Sequence, residues 1–134
     1  MVCIYCGKAT GVTNSRLQRR SNTVWRRRRC EACQAVFTSI ERVDEQKAVV
    51  VAPEGAAALI PLSRDELFVS IYDSCRHRHK AIQDASALTD TILGKLLAQY
   101  PGVIPKVKLK QLAWQTLKRF DPVAAVHYKA YYLA

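Results

Sequence analysis

Nowhere in the 134 residues does an apolar stretch approach the roughly 18 to 20 residues that a membrane-spanning helix needs. The N-terminus, Met1-Val2-Cys3-Ile4-Tyr5-Cys6, lacks the basic start and apolar stretch of a secretory leader. Both absences lead us to expect a cytosolic protein without a membrane partner. The residue sets of catalysis are missing too: no Ser/His/Asp set, paired carboxylates in context or phosphate-cradling glycine loop can be read, so an enzyme is not expected. Acidic residues are scarce in the first third. Residues 1–44 hold only Glu31, Glu41 and Asp44 against nine basic groups, Lys8, Arg16, Arg19, Arg20, Arg26 to Arg29 and Arg42.

The whole chain carries 21 lysines and arginines against 11 acidic residues, and most of that excess falls in the same third. A polyanion partner should therefore meet the N-terminal part. The remaining composition, 49% apolar and 24% charged, is that of an ordinary globular protein with a packed core.

Large aliphatic side chains are few in residues 1–44, which contain four of the five cysteines. A fold there must come mainly from something other than apolar burial. Cys3-x-x-Cys6 and Cys30-x-x-Cys33 each place two thiolates in a tight turn, and together they make the four-sulfur tetrahedral set that zinc takes in structural sites. Disulfides and iron–sulfur ligation are the competing readings, and a reducing compartment disfavours the first. With four protein ligands no position is open for substrate, so the metal is structural.

Between the cysteine pairs, Thr10 to Asn14 and Thr23 to Trp25 are strand-like and flank a polar turn at Arg19-Arg20-Ser21-Asn22, predicting a hairpin, with a third strand over Gln34 to Glu41. Arg16, Arg19, Arg20 and the run Arg26, Arg27, Arg28, Arg29 put seven guanidinium groups within fourteen residues. Guanidinium forks match phosphate oxygens and guanine edges, so a metal-braced basic hairpin is suited to double-stranded DNA. In an extended run, Arg26 and Arg28 point one way and Arg27 and Arg29 the other, so about half would touch the DNA directly.

After a polar joint at Val43 to Gln46, Ala48 to Val51 and Ala57 to Leu62 predict a second hairpin around the turn Ala52-Pro53-Glu54-Gly55-Ala56. Four helices follow. Ser63 with Glu66 is a capping box ahead of Leu67, Ile71 and Cys75. Ala85 to Gln99 and Lys106 to Phe120 are amphipathic, and Asp121-Pro122 opens a last helix to about Leu133. The fold class expected is α+β, a small β ribbon over 1–44 and a hairpin with about four helices over 47–134. Cys75 reads as core, and His77 and His79 sit among cations that oppose metal binding.

These residues resemble a known family, the NrdR-type bacterial repressors of ribonucleotide reductase genes, which join a zinc ribbon to an ATP-cone domain. The likeness rests on the paired cysteines, Asn14-Ser15-Arg16, the arginine run, Phe37-Thr38-Ser39-Ile40-Glu41, Ile104-Pro105, Leu109, Leu117 to Asp121 and Val123 to Tyr128. It implies a homo-oligomeric repressor on double-stranded DNA, with ATP or dATP in the cone setting the oligomeric state. The family's phosphate-neutralising lysines correspond here to Val51 and Glu66, which leaves Arg78 and Lys80 as the cations nearest its basic segment. Two other outcomes stay open: a nucleotide-blind assembly module on DNA, and an adaptor whose ribbon binds an acidic protein surface.

Overall fold

The computed structural model describes residues 1–55 and 57–133, which form two compact units, Met1–Val43 and Asp44–Ala134. The architecture is the expected α+β one. Ala56, at the end of the predicted turn, lies outside the described residues.

The first unit is an antiparallel sheet of three strands, β1 (Thr10–Gln18), β2 (Thr23–Cys30) and β3 (Val36–Glu41), with β2 in the centre. The β1–β2 turn falls at Arg19 to Asn22, where Asn22 adopts a positive φ of 49°. Asparagine tolerates that left-handed turn geometry better than most residues. The first two strands run further than propensity indicates, because cross-strand pairing from Thr10↔Cys30 to Gln18↔Thr23 holds the arginine run extended. Between Val12 and Asn14 the register shifts, so Thr13 is bulged out.

Only Cys3 and Cys30 are buried in residues 1–43. Apolar burial is worth about 1.5–3 kcal/mol per large side chain, and this unit has almost none of it.

The second unit has a conventional core. After a short turn of helix, α1 (Glu45–Ala48), strand β4 (Val50–Ala52) pairs antiparallel with β5 (Ile60–Pro61) and parallel with β6 (Val103–Pro105). Helices α2 (Arg64–Cys75), α3 (Ala81–Gln99), α4 (Lys106–Phe120) and α5 (Pro122–Tyr128) pack on one another, with α4 also against β6, and α5 continues into a π-helical turn, Lys129–Leu133. Ile71, Cys75, Ala85, Ile92, Leu96, Ala113, Leu117 and Ala124 are fully buried, those within one helix on spacings of four and seven. Burial pushes the Cys75 thiol up to about 11, as befits a core residue rather than a nucleophile.

The predicted caps form. Ser63 Oγ accepts from the Glu66 backbone N–H at 3.2 Å, and Asp121 Oδ1 accepts from Val123 and Ala124 at 2.9 and 3.3 Å, with Pro122 in the first turn. Helix α3 begins at Ala81, four residues ahead of its sequence-based start, without any side-chain cap. Instead Arg78 Nε donates to Asp84 Oδ2 in its first turn at 2.8 Å.

Candidate metal centre and basic sheet face

Two matching turns build the metal centre. Cys3 N–H donates to Lys8 O at 2.7 Å and Cys30 N–H to Ala35 O at 2.9 Å, so each CxxC closes the same five-residue loop. Both loops put the residue after their second cysteine in the left-handed region: Gly7 has φ 73° and Gln34 has φ 62°. Glycine takes that conformation freely, whereas Gln34 is held there by its own side chain. Its Nε2 donates to Glu31 O at 2.6 Å, while its Oε1 accepts from Arg29 at 2.7 Å.

The two loops bring the sulfurs of Cys3, Cys6, Cys30 and Cys33 within 4.8 Å of one another, with Cys3–Cys33 at 3.6 Å and Cys6–Cys30 at 3.5 Å. Zinc–sulfur bonds of about 2.3 Å in a tetrahedron put the sulfurs ~3.8 Å apart, so the observed spacings fit zinc. Protonation is uneven across the cluster. The Tyr5 backbone N–H, 3.4 Å from Cys3 Sγ, is the main reason that thiol falls to about 7. Cys30 is lowered chiefly by the Cys33 backbone N–H. In Cys6 and Cys33 the Lys8 and Ala35 backbone N–H groups also pull the thiol down, but partial desolvation and the hydrogen bonds of Cys3 and Cys30 prevail and both rise, Cys6 to about 12. Such a cluster shares protons among its sulfurs unless a cation replaces them. The four cysteines would hold Zn²⁺ as four thiolates, and with every position filled the ion supplies cross-linking rather than chemistry.

The strand that ends at Cys30 carries the arginines, and pleating divides them. Arg26 and Arg28 lie half-buried on one face. Arg26 bonds Glu41 Oε2 through Nε and a terminal nitrogen, at 3.3 and 3.0 Å, and Ser15 Oγ at 3.2 Å. Arg28 Nε donates to Ser39 Oγ at 2.8 Å, with a longer contact to Thr10 at 3.5 Å. The opposite face carries Arg16, Trp25, Arg27 and Arg29, all exposed, with Arg16 directly across from Trp25 and Asn14 across from Arg27. Among the described residues, the side chains of Arg16, Arg19, Arg20 and Arg27 make no hydrogen bond or ion pair, while Arg29 is steered by Gln34.

The seven arginines thus share one sheet and its turn in two different states, four unpartnered and three tied to neighbours. Glu41, Ser15, Ser39 and Gln34 do the tying, a role that the sequence did not assign to them. For all but Gln34, which sits in the second cysteine loop, the signal is cross-strand register, which appears once β1, β2 and β3 are paired.

In the second unit, Arg78 and Lys80 sit in the loop between α2 and α3. The Arg78 guanidinium is occupied: besides Asp84 it bonds Asp121 Oδ2 at 3.0 Å and covers the Phe120 ring at 4.4 Å. His77 Nε2 meets the same Asp121 oxygen at 2.9 Å. That histidine, with the Arg78 bonds and the backbone N–H groups of Val123 and Ala124, brings the Asp121 carboxyl down to about 2. His127 faces Ser74 Oγ at 3.2 Å. Val51 and Glu66 line a cavity of about 370 Å³ with Ser63, Lys106, Lys110 and Tyr131, and neither Arg78 nor Lys80 reaches it.

Residues 1–41 match the family described as transcriptional repressor NrdR-like, N-terminal domain, a zinc ribbon. Along 98% of its length the chain is similar to proteins named transcriptional repressor NrdR. That of Hyphomonas neptunium is 34% identical over 133 residues, with 82% of the relative covered. Those of Streptococcus sanguinis and Symbiobacterium thermophilum are 32% and 30% identical, with 83% and 87% covered. Four cysteine sulfurs gathered at zinc-like spacing beside a basic sheet, and likeness to these proteins along 98% of the chain, agree: the chain belongs to the NrdR family of transcriptional repressors.

Proposed function

We propose that this protein represses transcription by binding double-stranded DNA through residues 1–44, with Arg16, Arg19, Arg20, Arg27 and Arg29 as the contacting cations and Arg26 and Arg28 as residues that position the sheet. The observation that carries this is the free Arg27 guanidinium, central on an exposed sheet face braced by the four-cysteine site. Adjacent cations repel one another, and phosphate oxygens relieve that repulsion. The family likeness, whose members are named as repressors, supports the same reading.

In Arg27→Gln, duplex binding should weaken about 8-fold at 0.1 M salt, and the slope of log K against log salt should flatten by about 0.9, the value of one lost phosphate contact. Arg26→Gln breaks the Glu41 and Ser15 bonds and should lower ribbon stability with the slope intact. Equal slopes for wild type and Arg27→Gln would sink the assignment.

Residues 47–134 serve, in this reading, as an ATP-cone-like module for homo-oligomerisation, with ATP or dATP as effector. The cavity beside Val51 supports it, since Lys106 and Lys110 from α4 supply cations where Glu66 is unfavourable to phosphate. Titration calorimetry with each nucleotide, read with light-scattering mass, tests this: heat with a change of mass is expected. No heat and an unchanged mass would leave a nucleotide-blind assembly module.

A further inference from the structure

Helix α4 carries Lys106, Lys108, Lys110, Lys118 and Arg119 and no acidic residue. Four of its positions, Lys106, Lys110, Trp114 and Lys118, follow one another at intervals of four and so form a single slowly turning stripe. At 1.5 Å per residue this stripe is about 18 Å long.

Lys129, from the π-helical turn, joins it. The Lys118 and Lys129 ammoniums lie 5.2 and 5.9 Å from the Trp114 ring centroid, within cation–π range. Lys106, Lys110, Trp114 and Lys129 line a half-open groove of about 600 Å³, whose one acidic side chain among the described residues is Glu54. Among the described residues none of these four lysines has an ion-pair partner. Two ammoniums gathered at one ring, with a lysine row beyond them, concentrate positive charge that has no ion-pair partner among the described residues.

We propose that this stripe is a second DNA-contacting surface that grips the phosphate backbone independently of the ribbon, an inference that rests on the DNA-binding reading above. Each strand of a duplex carries one charge per ~3.4 Å of helix axis, so a lysine row of about 18 Å is long enough to meet several phosphates. Length favours the backbone over a free nucleotide at the Lys118 and Lys129 end, where neither residue lines the cavity beside Val51. Trp114 has ammoniums over its ring and is therefore a holder for cations rather than a stacking platform for a base. Lysine is a point charge without the bidentate fork that reads guanine, so the contact adds affinity without sequence preference.

The test uses the full zinc-loaded chain without nucleotide, on a mixed-sequence duplex, by fluorescence anisotropy over a salt series. Lys118→Gln/Lys129→Gln removes two exposed ammoniums that do not line the cavity beside Val51. The slope of log K against log salt should flatten by about 1.8, with binding up to about 60-fold weaker at 0.1 M salt. Lys108→Gln/Arg119→Gln makes the same change in net charge at positions about 200° and 220° around the helix from Lys106, and should keep the wild-type slope. Wild-type binding with the same slope in the Lys118/Lys129 variant, or equal flattening in both variants, overturns the proposal and leaves the ribbon reading standing. Failure of the wild-type chain to bind duplex overturns both.

Discussion

Removing zinc should unfold one unit of this protein and leave the other folded. In residues 1–43 only two cysteines are buried, whereas the second unit buries some eighteen apolar residues in one cluster. Structural zinc sites contribute roughly 10–16 kcal/mol of apparent binding free energy, all of it spent on folding because the site does not exist in the open chain. Strand pairing among β1, β2 and β3 adds exposed hydrogen bonds of about 0.5–1.5 kcal/mol each, which ordering each residue costs again in entropy. Nothing else in the ribbon is large enough to replace the metal. A strong chelator, or Cys30→Ser, should therefore turn the amides of residues 1–43 into unprotected coil while those of 44–133 keep their protection and their melting transition. Hydrogen exchange resolved by residue reads both outcomes at once, and duplex binding through the ribbon should vanish in parallel. Ribbon amides that stay protected without metal would refute the reasoning, since the sheet would then have a source of stability the structure lacks.

Three further outcomes follow from the second unit. The depressed Asp121 carboxyl, about 2 in the fold against an ordinary 3.8, contributes stability that is complete above about pH 4 and is lost as pH falls through about 2. It amounts to up to about 2 kcal/mol, and Asp121→Asn should flatten that acid limb in denaturant melts taken as a function of pH. Leu96→Ala empties a fully buried site on α3 and should cost about 2–5 kcal/mol in urea unfolding of this unit, with the ribbon's hydrogen exchange unchanged. Ser63→Ala removes the α2 cap and should cost about 1 kcal/mol by the same melts.

Local chemistry was legible in the sequence where the information is itself local. Two CxxC pairs specify a metal site because each loop closes over a few residues, and the capping serine, the Asp121-Pro122 start and the Lys106–Phe120 helix each declare themselves within one or two turns. Strand alternation likewise foretold that the arginine run would split between two faces. What tertiary structure alone decided depends on residues far apart in the chain. Strand β6 pairs with β4 across some fifty residues, and no propensity in Val103-Ile104-Pro105 marks it as a parallel strand. The early start of α3 needs Arg78 to reach Asp84 and Asp121, which also takes that arginine out of the pool of free cations. Glu41 and Ser15 select Arg26 as a tied residue and leave Arg27 free, through cross-strand register rather than composition. The lysine stripe arises the same way. Intervals of four along α4 are visible in the sequence, but only the fold brings Lys129 to Trp114 and, among the described residues, leaves Glu54 as the one acidic side chain in the groove. Charge can be counted from a sequence; whether a charge is already satisfied is a property of its neighbours in space.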